Sequence, residues 1–447
     1  MSIFDKKRLT DETFKLDIDR MRRGWYSDKY FENIGRMLET LSKEGYSYSG
    51  EHHNLPMDVS PDDIGVGDIE VEMQWFTRRV GNTVVVGVDK SLEMLRHCTG
   101  YWDGDDFVDT SEQLEVWAIH DGAMVKSDGN PLNAEPVIKA RGRYRDFALL
   151  ETPTLGVLTR SSRVATNVYE TLMAARGKPV LFFPARFDLH EVQAADGYAY
   201  NMAIERFNMD FSHRIGSFVS TDAQGDWWGG AGGGTVAHAA IASFLGDTAE
   251  AMMQFSRILP ANIPRIALVD FNNDSVRDTL RVMEVMFNKY RELNDLGDEA
   301  EAAKYNLYGL RLDTSGSLRD VSVAPLGDAS LDLGVTPRLV FNVRQALDNA
   351  WEGWSIPDVW KDAAREYCRN VKIVVSGGFN PEKIRRFEKL QVPVDIYAVG
   401  SWLFNNNGGT VTDFTADVVR VKVHGDWIDM PKVGRRPLAN PNLERVW

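Results

Sequence analysis

The chain has 447 residues, 43% hydrophobic and 26% charged, with a formal net charge of −14 at pH 7. That is the composition of a globular protein with a large core and about two domains. Its acidity argues against nucleic acid or an anionic membrane as the main partner, and leaves room for an anionic small molecule in a locally basic pocket. Two cysteines, Cys98 and Cys368, lie far apart without metal-ligand spacing, so a reducing, cytoplasmic setting without disulfides is expected. No window approaches the ~18 apolar residues of a membrane span, and the first residues are charged, without the apolar stretch of a leader.

In chain order, residues 5–45 read as helices, interrupted at 21–31, where Ser27 or Asp28 caps the next helix over 30–43. Strand-like alternation follows at 68–75, 80–88, 113–120 and 137–140, broken by Asp-Gly turns, which predicts a mostly antiparallel sheet. The segment 98–110 reads as an acidic surface loop. From about 155 the rhythm changes to short apolar strands at 180–183, 215–220, 266–270, 307–312, 371–375 and 395–399. Helical patterns at 162–175, 189–207, 236–244, 275–293 and 336–350 lie between them. Repeated βα units mean a parallel sheet, and the spacing suits a closed barrel with an irregular stretch at 315–334. After Ser401, strands at 417–423 and 427–430 predict a tail returning to the first sheet. The fold class is therefore α/β: residues 1–154, with 404–447 returning, form an α+β domain, and residues 155–403 an irregular (β/α) barrel.

Parallel barrels carry chemistry at the C-terminal ends of their strands. Those ends here read Pro184-Ala185-Arg186, Thr221-Asp222, Asp270, Arg311 with Asp313 and Thr314, Ser376-Gly377-Gly378, and Gly400-Ser401. Glycine lets backbone N–H groups turn toward a ligand. Asn380, Pro381 and Glu382 open a helix just beyond the first glycine pair. Together these residues describe a cleft with cationic, anionic and N–H-rich parts, suited to a phosphorylated substrate with a divalent metal. The glycine-rich loop 229–234 runs through Thr235 to His238 at a helix start. No Gly-Lys-Ser/Thr follows it, so it is not a Walker A loop. A lone helical histidine is more often structural than catalytic; the functional alternative here is a nucleophile or acid/base beside a phosphate.

The ordered set of blocks resembles the nicotinate phosphoribosyltransferase family, nearer its archaeal-type branch. The blocks are Phe147-Ala148-Leu149-Leu150-Glu151-Thr152 with Ser162-Arg163-Val164-Ala165-Thr166; Phe183-Pro184-Ala185-Arg186; Gly234-Thr235-Val236-Ala237-His238; residues 267–274; residues 309–314; and the stretch 375–401. Tyr26 to Phe31 is similar to the family's N-terminal aromatic segment. The resemblance implies a type II phosphoribosyltransferase that moves the 5-phosphoribosyl group of PRPP to nicotinate, releasing pyrophosphate, in NAD biosynthesis. On that resemblance, Ser376, Gly377, Gly378, Gly400 and Ser401 hold the 5-phosphate. Asp270 and Asp313 serve the ribose hydroxyls and, directly or through water, Mg²⁺. Arg311 and Arg186 face the pyridine substituent or the pyrophosphate. Phe183 stacks on the ring, with Tyr30 or Phe31 donated by a second subunit of a homodimer or larger assembly. Arg163 binds an anion, and Thr235 belongs to the substrate site. His238 is the histidine that ATP-coupled members phosphorylate, which makes ATP a co-substrate.

Departures from the pattern bear on the substrate. Phe-Pro-Ala-Arg stands where Phe-Gly-x-Arg is usual, and Pro184 removes one N–H donor. Asp222 lies near the point where nicotinamide-using relatives carry an amide-binding acid, so a nicotinamide phosphoribosyltransferase is the alternative. Quinolinate calls for a more basic pocket. A barrel that binds phosphorylated ligands without turnover is the reading from a different class.

Overall fold

The computed structural model describes residues 5, 7–234 and 236–447. The chain divides into two compact units. The first takes in the chain up to Tyr169 together with Ala195–Ser212 and Asn405–Trp447; the second is Glu170–Ala194 with His213–Phe404. The division falls inside one continuous helix, Glu151–Ala174, and not at residue 154. Leu158 on that helix is fully buried in the first unit's core. The segment Ala195–Ser212 also belongs to the first unit, where Arg160 holds Asp196 through two bonds of 2.9 Å.

The first unit is built on a six-stranded antiparallel sheet. Its strands are β1 (Glu70–Thr77), β5 (Glu115–Ala118), β7 (Ile138–Arg143), β13 (Phe414–Val423), β14 (Asp426–Asp429) and β15 (Glu444–Arg445), in the order β14-β13-β1-β7-β5-β15. The tail thus returns to the first sheet, as its alternation predicts, and β13 pairs directly with the central β1. At the middle of that sheet Glu72 lies opposite Arg141 of β7 and Arg420 of β13. Burial raises its pKa, but Arg141, Lys139 and Arg420 outweigh burial and hold the carboxyl below its ordinary range. The core between sheet and helices gathers Trp75, Leu92, Phe147 and Phe414.

Two sequence expectations change here. The apolar run 80–88 is not one strand: β2 (Gly81–Val84) stops early, and Gly87, at φ +103°, turns the chain into the helix Val88–Cys98. A continuous apolar run suits a buried strand and a buried helix start equally. The segment 98–110 is not a loop but a hairpin of β3 (Gly100–Asp103) and β4 (Asp106–Asp109), with Trp102 opposite Phe107 and Tyr101 opposite Val108. Its carboxylates masked the aromatic cross-strand pairs that fix it. A second small hairpin-like ladder joins β2 to β6 (Met124–Ser127).

The second unit contains a five-stranded parallel sheet. It is formed by β8 (Val180–Phe182), β9 (Arg265–Leu268), β10 (Leu307–Leu312), β11 (Lys372–Val375) and β12 (Ile396–Val399), in the order β8-β12-β11-β10-β9. The expected strand at 215–220 is reduced to a bridge at Val219, which pairs with Phe182 on one side and Gly232 on the other. Glycine-rich chain beside it supplies too few regular partners to extend the ladder. The helix expected over 189–207 is Gln193–Phe211, after a single 3-10 turn at His190–Val192. Inside the sheet Leu181, Ile266, Val374, Ile396 and Ala398 form a small core with Phe183 and Phe218 packed on it. Among the described residues no helix is long and apolar enough to cross a membrane.

Candidate active site at the strand ends

The C-terminal ends of β8, β10, β11 and β12 enclose a cavity of about 220 Å³. It is lined by Phe183, Arg186, Arg311, Asp313, Ser376, Gly377, Gly378, Gly400 and Ser401, all singled out from sequence. Phe187, Phe379 and Ala398 complete the lining and were missed. Phe187 and Phe379 directly follow predicted site residues. Ala398 precedes Gly400 by two positions, so strand alternation places both on one face.

Gly377 and Gly378 have φ of +86° and +69°, two successive left-handed residues. Side chains would strain both, and without them a ligand can approach the backbone of this turn closely. The helix Pro381–Lys389 starts immediately after, capped by the Asn380 side chain, which accepts from the Lys383 N–H at 2.8 Å. Gly400 is constrained differently: a Cβ there would lie 2.8 Å from the Phe187 ring and 3.3 Å from the Phe183 carbonyl. Ser376 does not act as expected, because its N–H is spent on the Leu312 carbonyl at 2.9 Å. Its hydroxyl donates to Asp313 Oδ1 at 2.8 Å. Ser376 therefore clamps β10 to β11 and orients Asp313, while the glycines supply the open backbone.

Arg311 is 14% exposed, and its Nη2 lies 3.8 Å from Asp313 Oδ2. Burial lowers its pKa, while Asp313 and Asp270 pull it back up. Arg186 is exposed on the 3-10 turn Ala185–Phe187, with its guanidinium 4.7 Å from the Phe187 ring centroid. Asp270 lies two residues beyond the end of β9 and is not among the residues lining the cavity. Its two carboxylate oxygens each lie 3.1 Å from His238 Nε2. Burial raises the Asp270 pKa, His238 lowers it and Asp313 raises it, with a net upward shift. His238 begins the helix His238–Ser243 and is half-exposed. Arg311 thus feels both carboxylates, that of Asp313 in the cavity and that of Asp270 beside His238.

The remaining candidates lie elsewhere. Asp222 is exposed, and its Oδ1 accepts from the Gly232 N–H at 2.9 Å, so it tethers the glycine loop. Thr235 lies outside the described residues. Tyr30, Phe31 and Arg163 belong to the first unit. Tyr30 is 56% exposed and bonds Asp28 at 3.3 Å. Phe31 is 5% exposed and packs in that unit's interior, which removes it as a ring for a ligand: helical spacing turns Tyr30 out and Phe31 in. Arg163 is half-buried on the helix Glu151–Ala174.

Asp270 and Asp313 offer hard oxygen donors of the kind Mg²⁺ takes. Each already has a protein partner, and no group of three or more His, Cys, Asp or Glu able to hold a metal occurs among the described residues. The donor set fits a magnesium ion carried mainly by substrate oxygens and water, and does not fit an all-protein metal cage. A larger groove of about 660 Å³ lies between the helices Ser275–Asp295 and Pro337–Asn349, away from the strand ends, with Glu284 as its one titratable lining residue.

Residues 58–162 match the family model described as "Quinolinate phosphoribosyl transferase, N-terminal domain". Among solved structures, the nicotinate-nucleotide pyrophosphorylase of Pyrococcus furiosus aligns at TM-score 0.61 and 23% identity, covering 94% of this chain and 80% of that one. Human nicotinic acid phosphoribosyltransferase aligns at TM-score 0.53 and 16% identity, covering 89% and 75%. No curated protein sequence matches the chain. The fold is that of the type II phosphoribosyltransferases.

Proposed function

From a fold shared with the type II phosphoribosyltransferases, we propose that the chain transfers the 5-phosphoribosyl group of PRPP to nicotinate, giving nicotinate mononucleotide and pyrophosphate for NAD biosynthesis. The observation that carries this reading is one cavity joining the Gly377-Gly378 turn, Gly400, the Arg311–Asp313 pair and the Phe183 ring. The ring nitrogen attacks the anomeric carbon as the bond to pyrophosphate breaks, and the bonding pair leaves with pyrophosphate. An oxocarbenium-like centre gains from fixed geometry and charge.

In this reading the Gly377, Gly378 and Gly400 backbone binds the 5-phosphate. Asp313, held by Ser376, receives the ribose hydroxyls beside the developing positive centre. Phe183 stacks on the pyridine ring, and the Arg186 and Arg311 guanidinium groups suit its carboxylate. Magnesium, when bound with PRPP near Asp270 and Asp313, supplies charge neutralisation to the leaving pyrophosphate. His238 is the residue we assign to ATP coupling. With Nε2–H held by Asp270, Nδ1 carries the lone pair that attacks the γ-phosphorus of ATP; the bond to the β–γ bridging oxygen breaks and ADP leaves with its electron pair. The assembly is a homodimer in which exposed Tyr30 is offered to a second copy. Buried free thiols at Cys98 and Cys368 support a cytoplasmic setting.

The nicotinamide alternative rested on Asp222, whose carboxylate is engaged by the Gly232 N–H. The test is incubation with PRPP and Mg²⁺ plus nicotinate, nicotinamide or quinolinate, with and without ATP, and identification of the mononucleotide by mass. Nicotinate mononucleotide is the expected product. Product from quinolinate or nicotinamide alone reassigns the base, and no product from any of the three favours the non-catalytic barrel.

A further inference from the structure

A cavity of about 300 Å³ lies in the first unit, lined by the helix Lys29–Lys43, the β3 side of the hairpin and the Arg22-Arg23 turn. Four guanidinium groups line it, those of Arg22, Arg23, Arg36 and Arg145, with the carboxylates of Glu32 and Glu39. In a chain of net charge −14 this is a local reversal of sign. The two carboxylates are already paired, Glu32 with Lys29 and with Arg36 of the lining itself, and Glu39 with Lys43. Arg22 is occupied by the His97 carbonyl at 2.9 Å. Arg23 is the least committed of the four. Arg23 has no carboxylate in ion-pair range among the described residues; its guanidinium rests 4.1 Å from the Trp102 ring centroid. Arg145 is only 7% exposed, pairs with Asp68 at 3.0 Å and faces Asp146 Oδ1 with its Nε at 3.7 Å, so it contributes charge to the wall more than a free donor.

Gly35 is the second, independent sign. It sits in the interior of a 15-residue helix, where glycine is costly, and its φ is not positive. A Cβ there would meet nothing within 4 Å. Neither backbone strain nor close packing therefore calls for glycine at this position. What its missing side chain does is keep one wall of the cavity open.

We propose that this cavity is a binding site for a small phosphate-bearing ligand. Guanidinium forks match phosphate oxygens, and Arg23, which no carboxylate among the described residues compensates, supplies the donors. Tyr101 and Trp102 add aromatic surface to the lining, part of which already carries guanidinium groups, Arg145 on Tyr101 and Arg23 on Trp102. The volume is at the lower end for ligand pockets, roughly 300–1,000 Å³, which suits a free anion or a mononucleotide and excludes a macromolecule. The site consists of first-unit residues alone and does not rest on the reading of the strand ends in the second unit.

Amide hydrogen exchange of the full chain with inorganic phosphate, inorganic pyrophosphate or AMP tests it. Slowed exchange is expected in residues 29–43 and 100–109 with pyrophosphate or AMP; slowing by AMP alone assigns the site to nucleotides, and by both to the phosphate head. Slowing at 376–378 reports the strand-end cavity and is scored separately. Gly35→Leu, which fills the open wall, is expected to abolish the effect at 29–43 and 100–109 without lowering the melting temperature. Arg23→Ala is expected to weaken it about tenfold. The proposal is overturned if no anion slows those segments at millimolar concentration, or if both variants respond like the unaltered chain. Should Gly35→Leu fail to fold, Arg23→Ala, on an exposed side chain, decides alone.

Discussion

Ser376→Ala separates two roles that sequence alone conflates. As a phosphate ligand, Ser376 would affect mainly the affinity for PRPP. In the structure its N–H is tied to Leu312 and its hydroxyl holds Asp313 at 2.8 Å in a site only 7% exposed. A buried hydrogen bond to a charged group contributes about 1.5–3 kcal/mol, and each 1.4 kcal/mol is about tenfold in rate or affinity. If the bond serves mainly to orient Asp313 in the transition state, kcat falls about 10–100-fold, while KM for PRPP changes less than about threefold. The bond from the Ser376 N–H to the Leu312 carbonyl is backbone and survives, so stability falls only by the loss of one side-chain bond, about 1.5–3 kcal/mol. Steady-state kinetics with varied PRPP, together with thermal melts, reads both. A KM increase with kcat unchanged, or no kinetic effect at all, refutes the clamp.

Three further outcomes are expected. His238→Ala loses ATP stimulation but keeps slow PRPP-dependent turnover; ATP stimulation that survives unchanged removes the phosphohistidine assignment. Asp222→Ala leaves the ratio of kcat/KM for nicotinate over nicotinamide unchanged, because the carboxylate holds the glycine loop, and a shifted ratio would return it to the base site. Glu151 is pushed up to about 8, first by burial and then by Asp417 and Asp28. Its folded pKa lies above its unfolded value, so the folded chain binds the extra proton between them and wild-type stability falls as pH rises from about 4.5 to about 8. Glu151→Gln flattens this slope and raises the melting temperature relative to wild type at pH 8–9; parallel stability curves for the two would contradict the burial argument.

The second unit was legible because βα repetition and strand-end chemistry are local. A β-branched run, a Ser-Gly-Gly turn, an Asn-Pro helix start and the next strand are neighbours in sequence, and so 371–402 announces its own cradle. The strand at 215–220 was not legible in the same way. A strand needs partners, and Val219 finds them only in Phe182 and Gly232. In the first unit the acidic composition of 98–110 concealed a hairpin whose stability comes from cross-strand pairs such as Trp102 with Phe107. The boundary near 154 was displaced because a helix can run through a domain division without any change in composition.

For the site, residue type was readable and role was not. Sequence determined that arginine, aspartate, glycine and an aromatic ring stand at successive strand ends, since alternation and turn chemistry need only neighbouring residues. Only tertiary structure decided that Ser376 turns to Asp313, that Asp222 turns to Gly232, that Asp270 pairs with His238, and that Phe31 is buried beside exposed Tyr30. For the hydrogen bonds the question is which partner lies within 3 Å or so, and those partners lie 10, 32 and 63 residues apart in the chain. The cavity of arginines around Gly35 belongs to the same class: its lining residues span 22 to 149, and only the fold makes them neighbours.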